Sequence, residues 1–150
     1  MKKLMCCVLL CISTSVAAFD QELNSVAEQN IKTFKMSQSE PGDIQCGVQK
    51  LPIHQLNNTI GIQVFTLTEC GGGNHAEQYV MVLTKHTMWK TAIISLVGND
   101  MGFTADFIRT NSSNIFTLYG SVLMENDAHC CPSGKTHHTY QWKNNKLYTK

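Results

Sequence analysis

From Thr59 to the C terminus the sequence offers one strand-like segment after another, and none of the helices that a parallel sheet needs for its crossovers. Residues 59–69, "TIGIQVFTLTE", are rich in β-branched side chains, with Ile60, Ile62 and Val64 in alternation. Residues 77–85 and 91–98 are apolar enough for central strands. Residues 103–109 follow a glycine turn, and residues 115–124 set Phe116, Leu118, Gly120, Val122 and Met124 on one face. Residues 137–143, the pair Asn144-Asn145 and "KLYT" read as a closing hairpin, because Asn tolerates positive φ. Short connections make neighbouring strands antiparallel, so the expected topology is a meander. Ahead of it, Leu23, Val26, Ala27, Ile31 and Phe34 form a helical stripe, with Asp20 placed to cap its first turn. The expected fold is α+β and mainly β. It is an N-terminal helix followed by a twisted antiparallel meander, curled into a barrel or a sandwich and stapled by disulfides.

The N terminus places this fold. Lys2 and Lys3 precede the apolar run "LMCCVLLCI", and small residues follow, with Val16 and Ala18 at the minus-three and minus-one positions of a cut before Phe19. That is the layout of a secretory signal peptide, residues 1–18, and the apolar run is too short to span a bilayer. Residues 19–150 then form one domain, expected in the periplasm or outside the cell, with no transmembrane segment left after cleavage. Loss of Lys2 and Lys3 leaves ten basic against eleven acidic residues, and Arg109 is the sole arginine. A chain so poor in basic runs is not expected to bind nucleic acid, which requires phosphate neutralisation.

Four cysteines remain, Cys46, Cys70, Cys130 and Cys131, and an even number in an oxidising compartment reads as disulfides. Three pairings exist. Joining Cys130 to Cys131 strains the peptide between them, so the expectation is that each finds a separate partner in Cys46 or Cys70. The segment around them, "DAHCCPSG" at 127–134, carries the densest chemistry in the chain. A zinc site drawn from His129, Cys130, Cys131, His137 and His138 is disfavoured. Adjacent cysteines turn inward together poorly, and neighbouring histidines on a strand face opposite ways. A thiolate nucleophile would need a free cysteine beside a base. No cofactor is expected. "GGG" at 71–73 lacks the Lys-Ser/Thr and the helix of a phosphate loop. Tyr119, Tyr140, Trp89 and Trp142 are read as core or cross-strand partners, with a ligand groove as the lesser alternative. "NNT" at Asn57 and "NSS" at Asn111 match glycosylation acceptors.

The C-terminal half resembles uncharacterised exported bacterial proteins that carry an acidic residue, a spacer, Cys-Cys-Pro-Ser/Thr and then an aromatic strand. The matching residues are Asp127, Cys130, Cys131, Pro132 and Ser133, followed by Tyr140, Trp142 and Leu147. The resemblance implies export and a β-rich fold and brings no activity with it. A second likeness, to periplasmic inhibitors of C-type lysozyme, stops at Ser133-Gly134. His137 stands where those proteins have Tyr, and Tyr148-Thr149-Lys150 has the wrong spacing.

The functional expectation is an exported, non-catalytic binding protein whose partner is another envelope or secreted protein. Its recognition loop would use Asp127, His129, Pro132, Ser133, Lys135, His137 and His138, since loops on rigid scaffolds carry function. The competing reading is a thiol- or metal-dependent periplasmic enzyme built on His129, Cys130 and Cys131.

Overall fold

The computed structural model describes residues 5–39, 46–70, 76–99, 102–128 and 131–150, with helix side chains described from Gln21 onward. Among the described residues, one helix, α1 (Met5–Gln38), precedes nine strands: β1 (Gly47–Lys50), β2 (His54–Asn57), β3 (Ile60–Thr68), β4 (Ala76–Lys85), β5 (Trp89–Asn99), β6 (Phe103–Ser112), β7 (Ile115–Val122), β8 (Gly134–Lys143) and β9 (Lys146–Thr149). The meander divides into two antiparallel sheets. In the first, β1 and β2 both pair with β3, and β4 and β5 follow. The second runs β6-β7-β8-β9 in chain order. The sheets are open, and they pack face to face instead of closing into a barrel.

Strand alternation explains the layering. Even-numbered Ile62, Val64, Val80 and Val82 point from the first sheet toward Phe103, Ile108, Phe116, Leu118, Tyr140 and Trp142 of the second. Odd-numbered Phe65, Leu67, Tyr79, Met81 and Leu83 point the other way, against Leu23, Ala27 and Ile31 of α1. The central sheet is therefore apolar on both faces, which is why its strands read as near-continuous hydrophobic runs. Gly61 lets the helix come close, since a Cβ there would sit 3.3 Å from Leu23 Cδ1. Glu28 bonds Lys50 of β1, and Glu22 meets Lys85 of β4 at 3.1 Å and accepts from the Trp89 backbone N–H. Burial pushes the Tyr79 phenol well above its ordinary range, and its bond to the Glu77 carboxylate adds to this, so it remains a neutral donor.

Gln78 joins the two sheets. Its side-chain oxygen accepts from the Ala105 N–H at 2.6 Å, and its nitrogen donates to the Ala105 carbonyl at 3.1 Å and to Thr66 Oγ1 at 3.2 Å. A buried amide here serves β6 as a strand neighbour would.

Four features depart from the sequence reading. β1 and β2 were not foreseen, and β8 begins at Gly134, so Lys135 lies on a strand. Asp20 is inside α1 and not at its N-cap, because the helix continues upstream to Met5. Cys46 pairs with Cys70, their Cα atoms 4.7 Å apart, which overturns the expected separate pairings with Cys130 and Cys131. The physical reason is register. Gly47 pairs with Thr68, so β1 delivers Cys46 to the end of the ladder that Cys70 follows. Replacing both cysteines of this bridge with Ser is expected to cost about 2–4 kcal/mol in urea unfolding, mainly through a freer unfolded chain. Among the described residues, no helix is long and apolar enough to cross a membrane.

Candidate recognition surface

Residues 123–133 connect β7 to β8, and Asp127 organises what is described of them. Its carboxylate accepts from the backbone N–H of Met124 at 2.8 Å, and from Ser133 through both the N–H at 2.7 Å and the hydroxyl at 2.7 Å. Cys131 N–H donates to the Ala128 carbonyl at 2.9 Å. Asp127 and Ser133 thus hold the connection together and are spent internally. Pro132 is half-buried. Cys131 is disulfide-bonded, and with Cys46 and Cys70 joined to each other its partner lies outside the described residues. His129 and Cys130 lie outside them too, as do His75 and the glycines 71–73.

The Met124 and Ser133 backbone donors, then the Ser133 hydroxyl, hold the Asp127 carboxyl below the usual carboxylate range. A lowered folded value means this contribution is present above the ordinary carboxylate value and is lost as pH falls through the lower, folded one. The expected result is an Asp127 titration midpoint by NMR below that of a model Asp peptide. In Asp127→Asn, the Ser133 amide should lose hydrogen-exchange protection. An unshifted midpoint would contradict this role.

Strand alternation separates the two adjacent histidines. His138 turns inward and sets its ring edge-on to Phe103, centroids 4.5 Å apart, so it belongs to the sheet interface and is half-buried. Lys135 and His137 turn outward, onto the face of the second sheet that is opposite the core.

That outer face has a definite order. Register places Phe107 beside Tyr119 and Tyr119 beside His137, and the three rings form a cross-strand ladder. Phe107 and Tyr119 stack at 4.9 Å with planes 4° apart, and Tyr119 and His137 stack at 5.4 Å. Phe107 is nevertheless 54% exposed. On one side of the ladder lie Arg109, Asn111, Thr117 and Thr139. Thr117 donates to Asn111 Oδ1 at 3.0 Å and meets the Thr139 hydroxyl at 2.9 Å. On the other side, a bulge between Ala105 and Phe107 turns Asp106 outward. There Lys135 donates to Ser121 at 2.7 Å and to Asp106 at 3.3 Å, while Ser121 donates to Asp106 at 3.2 Å. Toward the β8–β9 turn, Lys143 pairs with Lys146 and Gln141 with Tyr148, and Lys143, Lys146 and Tyr148 are exposed.

Lys135, Ser121 and Asp106 form a hydrogen-bonded clamp across the bulge, with Ser121 buried beneath it. Among the described residues, no group of three His, Cys, Asp or Glu side chains could hold a metal ion. A cleft of about 290 Å³ opens between the sheets beside Gln49, Thr66, Gln78 and Thr104. Its one buried amide, Gln78, is already engaged with Ala105 and Thr66.

Of the aromatic residues singled out in the sequence, Trp89, Tyr140 and Trp142 are core, and Tyr119 is on the outer face. Phe107, Arg109, Lys143, Lys146 and Tyr148 were not foreseen as residues of this outer face. Their signal, alternation along β6, β8 and β9, becomes readable as one face only once the β6-β7-β8-β9 registers are known. Asn57 has a structural role at the β2–β3 turn. Its side chain donates to the Ser113 carbonyl at 2.6 Å and accepts from the Thr59 N–H at 2.8 Å, closing the β2–β3 turn. Comparison with protein-family models, curated proteins and solved structures found no match to this chain.

Proposed function

We propose that this chain is an exported, non-catalytic binding protein of the bacterial envelope, an inhibitor or immunity-type partner of another envelope or secreted protein. Its recognition surface is the outer face of β6–β9. The observation that carries this reading is the Phe107–Tyr119–His137 ladder, an ordered aromatic row whose terminal Phe is more than half exposed. Aromatic and Arg side chains grouped on an otherwise polar surface are the composition of binding hot spots. Export is supported by the three-part N terminus, by the Cys46–Cys70 bridge, and by the likeness of the C-terminal half to exported bacterial proteins. The segment 127–138 contributes Lys135 and His137 to the surface, while Asp127 and Ser133 hold its base in place.

The test is recovery of a partner from envelope extract of the native host on immobilised chain 19–150, using wild type and Phe107→Ser/His137→Ser. The expected result is one partner retained by wild type. Its binding should weaken about 30-fold or more in the variant, the size of a hot-spot loss. Equal recovery on both, with the variant's β-sheet circular dichroism intact, would contradict the assignment.

A further inference from the structure

We infer that the partner presents an acidic strip on the surface of a different folded protein; this rests on the outer face of β6–β9 being the recognition surface. The charge on that face does not follow the composition of the chain. The mature chain is close to neutral, yet Arg109, Lys135, Lys143 and Lys146 all lie on this one face. The four strands contain a single acid, Asp106, and Lys135 already pairs with it. Described acids of the helix and first sheet are committed elsewhere, Glu22 to Lys85, Glu28 to Lys50 and Glu77 to Tyr79. The sequence hides this asymmetry because the cations are spread over 38 positions, from 109 to 146, and only strand pairing gathers them.

Size and shape narrow the occupant. Four strands at about 4.8 Å spacing, the longest of ten residues at about 3.3 Å each, give a footprint of up to about 600 Å². Side-chain relief brings this near the ~800 Å² that each side of a stable protein complex buries. The face is a sheet surface and not a concavity, so it does not enclose a small ligand. A second copy seated face to face would set these cations against their own images, which like-charge repulsion opposes. Both faces of the Tyr119 ring are covered, by Phe107 and by His137, so the centre of the ladder offers an edge and not the open ring face that a stacked base needs. An acidic protein surface meets the cations at the rim and the ladder at the centre, the arrangement that speeds encounter and fixes orientation.

The experiment is an NMR titration of ¹⁵N-labelled chain 19–150 with poly-L-glutamate, with poly-dT and phosphatidylglycerol vesicles as competing probes. The poly-L-glutamate arm should shift amides of Arg109, Thr139, Gln141 and Lys143 first. The effect should weaken about tenfold or more in Arg109→Glu/Lys143→Glu and on raising NaCl from about 50 to about 500 mM. Shifts elsewhere, no shifts, or tighter binding to vesicles or poly-dT would overturn the inference. The same charge-reversed chain separates the two readings in the recovery assay. If it retains the partner that Phe107→Ser/His137→Ser loses, the recognition face stands and the acidic partner falls.

Discussion

Gln78→Leu is expected to lower the unfolding free energy by about 2–4 kcal/mol, although Leu preserves most of the side-chain volume. The loss comes from Ala105. Its N–H and carbonyl both bond to the Gln78 amide, across the space between the sheets. Without that amide, two buried backbone groups lose their partners, each at about 1–3 kcal/mol. The adjoining cleft holds the total below the upper sum, because it admits water to the Gln78–Ala105 site. Urea unfolding should show a lower midpoint with an unchanged slope. A change under about 0.5 kcal/mol, the size of an ordinary surface substitution, would mean that the inter-sheet bridge does not support the fold.

Phe65→Ala should cost about 3–5 kcal/mol, the range for a large aromatic removed from a filled core. Phe65 is fully buried, stacks on Tyr79 at 5.5 Å and receives Phe34 of the helix edge-on at 5.8 Å. The cavity would open beneath α1, so amide exchange of residues 23–34 should accelerate more than that of β7 and β8. Phe107→Ala provides the internal comparison. The same side chain is removed, but from a site 54% exposed to solvent, and stability should change by about 0.5 kcal/mol or less. If both substitutions cost the same, the division between the helix-covered face and the outer face is wrong.

The contrast between these two phenylalanines also marks how far the sequence could be read. The helical stripe from Leu23 to Phe34 stood out because burial repeats at 3.6 residues, and the apolar runs of β3 and β4 because both of their faces are buried. Asn144 and Asn145 adopt positive φ, 52° and 55°, at the hairpin that their side-chain chemistry indicated. What was missed depended on register. β1 and β2 are four residues each, too short for a period to emerge, and without β1 nothing placed Cys46 opposite Cys70. The eye-catching loop residues Asp127 and Ser133 proved to be internal ties, and His138 a core contact. Lys135 and His137, from the same segment, did reach the outer face. Their partners Phe107, Arg109 and Tyr119 are distant in sequence and unremarkable in composition, so only the β6–β7–β8 pairing brings them together.

The most direct test of the proposed recognition surface is photo-crosslinking in the native host, with benzoylphenylalanine placed singly at exposed apolar positions. Phe107 and Tyr148 probe the outer face of β6–β9, whereas Met36, Met88 and Leu96 probe the helix end and the β4–β5 region. One common partner should be captured from positions 107 and 148, and none from 36, 88 or 96. Capture from 36, 88 or 96, with none from 107 and 148, would contradict the proposed surface.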